Sequence, residues 1–168
     1  YDSVRPDLDQ ITRKTIEVLK QQGHKEIGFI GGTFQNADTN VEEMDGRDRA
    51  FRKYMQQEGM LNETFIFCHH GFSVDNGYFL MSQAIERLGE NMPTAFFVAA
   101  DPIAVGCLQA LHEKQIDVPN RVSLISVNNT SIAKYVSPPL TTFNIDIEEI
   151  CKNAIHLLLE QIIEKRNV

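Results

Sequence analysis

The sequence has no tryptophan, only three cysteines and six prolines among its 168 residues, and no apolar run of the roughly 18 residues that a membrane span needs. Each shortage excludes something. Without a long apolar run no membrane-spanning helix is expected, and no signal-peptide pattern opens the chain. Cys68, Cys107 and Cys151 are odd in number, far apart and set in apolar contexts. That argues against a disulfide framework and fits reduced thiols in a cytoplasmic protein. The chain also has no low-complexity tract and no internal repeat, so it is expected to fold.

A basic surface is missing as well. The net charge is −7. The densest basic cluster, Arg47, Arg49, Arg52 and Lys53, is diluted by Asp45 and Asp48. Nucleic-acid surfaces show a basic patch or stripe, so this segment is not expected to grip DNA itself. The start at Tyr1 instead of methionine reads as a piece of a longer protein.

Catalytic signatures are absent too. There is no Gly-x-Ser-x-Gly elbow, no P-loop lysine and no Gly-x-Gly-x-x-Gly. Gly31-Gly32 alone does not make a phosphate site. His69-His70 beside Cys68 has no second cluster at zinc-ligand spacing. No catalytic, cofactor-binding or metal-binding residue is therefore expected, and an α/β enzyme has no residues to carry it.

What is present is a regular alternation, and 42% of the residues are hydrophobic. That suffices for one compact domain, or one domain with pieces of another. Asp7 to Gln22 reads as a helix, with Gly23 as its C-cap. Glu26 to Ile30 is a buried strand ending in a Gly31-Gly32 loop. Val41 to Gln57 reads as a helix, Thr64 to Cys68 as a strand, and Ser73 to Leu88 as a helix capped by Ser73 or Asp75. Thr94 to Ala99 is a nearly continuous apolar strand, followed by a helix from Asp101 to Lys114 with Pro102 near its start. Val122 to Val127 and Thr141 to Ile145 are the last strands. Asn128 to Ser131 is a turn into a short helix, and a final helix runs from Asp146 to about Lys165. Uniformly apolar strands alternating with helices predict an α/β fold with a doubly wound parallel sheet. Ligands bind such sheets at the carboxyl ends of the strands. That singles out 31–36, 69–72, 100–101 and 128–129.

Five segments carry a family pattern: GHKEIGFIGG at 23–32, GRDRAFRKYM at 46–55, PTAFFVAADPIAVGCLQAL at 93–111, VPNRVSLISVNN at 118–129 and PPLTTF at 138–143. In order and at family spacing over nearly the whole chain, they resemble the LacI/GalR regulators. The resemblance is closest in flavour to galactose- and β-galactoside-responsive repressors of Gram-positive bacteria. It implies a periplasmic-binding-protein-like fold of two lobes. Residues 1–22 would be the last helix of the amino-terminal lobe, 23–143 the carboxy-terminal lobe, and 144–168 the return to the amino-terminal lobe. The DNA-binding head would lie outside this chain.

The resemblance also implies a ligand set. Arg47 matches an arginine that donates to sugar hydroxyls, a task suited to the guanidinium fork. The alternative is a surface arginine paired with Glu43 or Asp48. Phe72 matches an aromatic that stacks on a sugar ring, or is a loop aromatic packed on the core. Asp101 is either a carboxylate acceptor for hydroxyls or a helix N-cap. Asn128 is expected as a ligand amide and Asn129 as a cap of the next helix, an Asx-turn being the alternative for both. Ala100, where the family commonly has Asn, and Ile145, where some members are polar, depart from the pattern. His24 is expected to be structural.

The resemblance further implies a homodimer. The helix carrying Ile103, Cys107, Ala110 and Leu111 and the segment Ala133 to Val136 would supply part of its interface, or the apolar side of that helix is core. Partners implied are a small-molecule sugar effector and operator DNA, with no cofactor. The effector would close the cleft between lobes, with hinges near Gly23 and Asn144-Ile145. The alternative function is a sugar-binding protein of a transport system.

Overall fold

In the computed structural model, residues 3–36 and 39–166 are described, with side chains to Ile163. The chain start at Tyr1 lies outside the described residues. The elements are α1 (Leu8–Gln21), β1 (Ile27–Gln35), β2 (Glu42–Met44), α2 (Gly46–Gln57), β3 (Ile66–His70), α3 (Val74–Leu88), β4 (Ala95–Val98), α4 (Asp101–Glu113), β5 (Ser123–Asn128), β6 (Thr141–Asn144) and α5 (Ile147–Arg166), with short 3-10 turns between some of them. Five strands run parallel in the order β3-β1-β4-β5-β6. β2 pairs antiparallel with the far end of β1, Thr33 opposite Met44 and Gln35 opposite Glu42.

Most helices start where side-chain caps put them. Asp7, Asp45 and Ser73 each accept a backbone N–H in the first turn of α1, α2 and α3, satisfying donors that a helix start otherwise leaves open. Two segments differ from the sequence expectation. β1 continues through Gly31-Gly32 to Gln35, and the expected helix from Val41 is instead strand β2 followed by a later helix start at Gly46. The pairing of 33–35 with 42–44 supplies backbone partners that a helix over 41–45 would have had to give up.

All four positions of β4 are buried, so the sheet is covered on both faces. Phe51 of α2 stacks on Phe29 of β1 at 5.2 Å between ring centres, and Phe97 of β4 meets Phe29 edge-on at 5.5 Å. α1 joins this same core: Ile16 and Leu19 are buried in one cluster with Phe29, Phe51 and Phe97. α1 is thus packed on the same sheet that 23–143 builds. The other cover is the pair α3 and α4, which meet backbone to backbone. A Cβ on Gly77 would lie 1.9 Å from the Ile103 carbonyl oxygen, and one on Gly106 would lie 2.0 Å from that of Val74.

Two features on the sheet's margins bear on the expected interface and lobes. Ile103, Cys107, Ala110 and Leu111 are all buried; they are core, and the interface reading of those four is corrected. Tyr135, in the segment expected beside them, is 83% exposed, and Ile132 is also exposed. α5 packs on the cluster only through Ile150 among its described side chains, while Ile155, Leu158, Leu159 and Ile162 are exposed. No helix among the described residues is long and apolar enough to cross a membrane.

Candidate functional site

The parallel order makes β1 a switch point. From β1 the chain goes through α2 to β3 on one side, and from β3 it crosses to β4 on the other. A crevice at the carboxyl ends is expected there. Three elements converge on it. Arg47 leaves the first turn of α2, Phe72 follows β3, and the Ala99 carbonyl ends β4.

Arg47 is held from three sides. Its Nε donates to Asp45 Oδ1 at 2.6 Å and one terminal nitrogen donates to Asp45 Oδ2 at 3.0 Å. The other terminal nitrogen donates to the Ala99 carbonyl. The guanidinium carbon sits 5.1 Å from the centre of the Phe72 ring, a cation–π arrangement. Of five guanidinium N–H groups, three have these protein partners, which leaves two for another molecule. The expected alternatives, Glu43 and Asp48, are not its partners. Glu43 accepts from Asn36, and Asp48 accepts from Arg52 and Cys68.

Phe72 lies over Gly32. A Cβ there would meet the Gly71 carbonyl oxygen at 2.3 Å and the Phe72 ring at 2.9 Å, so only glycine lets the ring settle against the strand. The loop that presents it is pinned by Asn76, whose Nδ2 donates to the Gly71 carbonyl at 2.8 Å. The ring is half-buried against the core.

Farther along the edge, Asn128 closes β5 with φ +112°. The described residues give its side chain no hydrogen-bond partner. Asn129 is not a helix cap; its Nδ2 donates to Asn144 Oδ1 at 3.1 Å, across to β6. The 3-10 turn that follows has Thr130 at its cap position. Asp101 lies behind the edge, fully buried, with both carboxylate oxygens accepting from Ser126, Thr130 and Thr142. It opens α4 without capping it, since Ala100 holds the cap position. Ala100 and Ile145 are buried in the core cluster. The site is therefore a strip of strand ends, with Phe72 and Arg47 in contact at one side and Asn128 two strands from β1 at the other.

Other polar groups singled out in the sequence are settled. At the opposite, amino ends of β1 and β4, His24 Nδ1 lies 2.8 Å from Thr94 Oγ1, tying the first motif to the third; burial lowers its pKa. Cys68 Sγ donates to Asp48 at 3.4 Å, and burial followed by the Asp48 charge pushes its thiol pKa up. His70 is 3.9 Å from Glu42, and His69 meets Phe79 edge-on. No group of three metal-ligating side chains comes together among the described residues. A cavity of about 590 Å³ lies elsewhere, between residues 5–9 and α2.

Sequence reasoning missed three parts of the site. Asp45, the partner of Arg47, read only as a diluting charge. The hairpin 33–44, which carries exposed Phe34 on the same face of β1 as Gly32, read as loop and helix. Thr142 read as part of a family motif. An Asp two residues before Arg, at a helix start, is a capping signal that would have found the first.

Residues 16–168 match the family model for a periplasmic binding protein-like domain. The transcriptional regulator GanR of Bacillus subtilis is 66% identical over 166 residues, covering 99% of this chain and 50% of that protein. The chain belongs to the LacI/GalR family. LacR of Lactobacillus helveticus, also described as a transcriptional regulator, is 38% identical over 97% of the chain and 48% of its own length. A sugar-binding LacI-family regulator from Escherichia coli, solved with phosphate, superposes with a TM-score of 0.78 at 28% identity, covering 91% of this chain and 52% of that one. A family member from Clostridium acetobutylicum superposes with a TM-score of 0.82 over the whole chain and 60% of its own, at 24% identity, which speaks for the fold alone. The chain spans about half the length of the curated relatives it matches. The LacI/GalR fold of these relatives, with its α/β sheet, is the fold described above.

Proposed function

We propose that this chain is the sugar-sensing part of a DNA-binding transcriptional repressor, and that the sugar binds along the strand ends at Arg47, Phe72 and Asn128. One observation carries the reading: Arg47 is fixed by Asp45 and the Ala99 carbonyl, with two N–H donors left over beside an aromatic ring. A donor fork next to a flat apolar face is what a sugar ring needs, since it offers hydroxyls at its rim and C–H groups on its face. Asp101, first considered a direct ligand, has both oxygens engaged by protein donors and serves the site from behind.

The regulator reading is favoured over a transport protein because the similar proteins are named as transcriptional regulators. In it, the sugar bridges this lobe and a second one, and closure changes the affinity of a separate head domain for operator DNA. The effector acts only through its different affinities for the two arrangements. The protein works in the cytoplasm as a homodimer. Exposed Ile132 and Tyr135 supply part of the contact, in place of the buried face of α4.

The test is a titration of labelled operator bound to the regulator at its relatives' full length, with a panel of galactosides, other sugars and sugar phosphates. One sugar is expected to shift operator affinity. Arg47→Ala and Phe72→Ala are expected to weaken that response about tenfold or more, the scale of a lost charged hydrogen bond or stacking contact, with effector-free operator binding kept. Tight sugar binding by a full-length protein that binds no operator would favour the transport reading.

A further inference from the structure

Asn128 and Asn129 have φ of +112° and +54°. Asparagine enters this region more readily than other non-glycine residues, but two in succession are unusual and are held here by their surroundings. Part of that hold is the Asn129 amide, which donates to Asn144 Oδ1 at 3.1 Å; the rest converges on one carboxylate. Asp101 Oδ1 accepts from the Ser126 hydroxyl at 2.6 Å and the Thr142 hydroxyl at 2.7 Å. Its Oδ2 accepts from the Thr130 N–H at 2.6 Å and the Thr130 hydroxyl at 2.8 Å. Ser126 lies two residues before Asn128 and Thr130 two residues after. The carboxylate thus grips the chain on both sides of the left-handed pair.

Thr142 completes the clamp from β6. Its hydroxyl donates to Asp101 and accepts from the Asn129 N–H at 3.1 Å. Asp101 and Ser126 are fully buried, where hydrogen bonds to a charged acceptor are short and strong. A carboxylate with four donors around it offers nothing to a ligand. It sets the backbone from which Asn128 projects.

We infer that Asp101, acting through Ser126, Thr130 and Thr142, is the positioning residue that aims the Asn128 amide into the effector site. This rests on the reading of Asn128 as an effector contact. Without the clamp the left-handed pair relaxes, and the amide moves off the hydroxyl it would meet.

Thr142→Val keeps the shape of the side chain and removes the shared hydroxyl; Thr142→Ser keeps the hydroxyl. Asp101→Asn puts a donor where Thr130 also donates, and Thr142→Val decides the matter if that variant does not fold. The regulator at its relatives' full length is titrated on labelled operator with the same panel of sugars, beginning with galactose and lactose. Thr142→Val is expected to weaken the response about tenfold, the size of one buried hydrogen bond lost with its partner left unpaired. Thr142→Ser is expected to restore it, and effector-free operator affinity should not change. In a double-mutant cycle, Asn128→Ala added to Thr142→Val is expected to cause little further loss, because both remove the same contact.

A Thr142→Val protein that melts earlier yet responds like wild type would overturn the positioning role while leaving the sensor reading intact. So would losses that simply add. A wild type whose operator affinity no sugar of the panel shifts would overturn the sensor reading, and this inference with it.

Discussion

Asp45 uses two oxygens for two tasks. Oδ1 accepts the Arg47 backbone N–H at 2.8 Å, starting α2, and the same carboxylate pairs with the Arg47 guanidinium. Both side chains are about nine-tenths buried, so removing one leaves the other desolvated and alone. Asp45→Ala is expected to destabilise the fold by about 3 kcal/mol, the sum of a lost cap and a stranded charge, read by urea denaturation. Arg47 stood out in the sequence because a family motif falls on it, in the helix expected after the Gly31-Gly32 loop. Its partner did not, because that pairing depends on where the hairpin ends and α2 begins. The same holds for Asn128. The strand-end rule marked the position, and asparagine is the side chain that best tolerates left-handed backbone, but nothing in NNTS predicts the carboxylate that holds the pair. Thiol chemistry is a second residue-scale test. Burial raises the pKa of Cys68 and Cys107, whereas Cys151 is exposed. In the 168-residue chain, a chromogenic disulfide reagent at pH 8 is expected to find one fast thiol, and Cys151→Ser to abolish the fast phase. Three thiols reacting together would contradict the packing of Cys68 and Cys107.

At the scale of elements, the strands were legible because a parallel strand buried on both faces is an unbroken apolar run. β1 was cut short in the sequence reading because Gly31-Gly32 looks like a turn. In the fold these glycines make room instead: a Cβ at Gly31 would strike the Phe29 ring at 2.5 Å. The paired segments that follow carry one apolar residue each, Phe34 and Met44, too few to make a periodicity that announces them. The α3–α4 contact was equally hidden. Helical periodicity gave each helix an apolar side, but the approach of two backbones at Gly77 and Gly106 appears only when the helices are crossed. Cys107 Sγ donates to the Gly77 carbonyl at 3.6 Å in the same contact. Gly77→Ala and Gly106→Ala place a methyl against backbone that has no flexible end to move. Each is expected to destabilise by about 3 kcal/mol, the upper range for overpacking, seen as an earlier thermal transition. A neutral result for either would mean that the two helices cross more loosely than described.

Over the whole molecule, the α/β class followed from alternation, whereas the sheet on which each end helix packs did not. An apolar stripe on α1 says that the helix is packed, without saying on which sheet, and the structure puts it on this one. α5 poses the opposite case. Ile155, Leu158, Leu159 and Ile162 recur at the spacing of one helical face, yet all four are exposed, Leu159 at 52%. The curated relatives it matches are about twice its length, and a second lobe of that size would have this face to cover. If it does, Leu159 contributes nothing here and a core residue's worth there. Leu159→Ala is expected to change the stability of the 168-residue chain by less than about 0.5 kcal/mol, as for an exposed site. In the protein at its relatives' full length it is expected to remove about 3 kcal/mol, as for a buried leucine. Paired urea melts of the two lengths, each with and without the substitution, measure the difference directly. Equal losses in both would mean that α5 is buried within this chain's own fold, and a loss in neither would leave the helix outside any core. Only the split outcome fits the proposed second lobe packed over α5, the arrangement by which a sugar bound as proposed at Arg47 and Phe72 would move anything beyond this sheet.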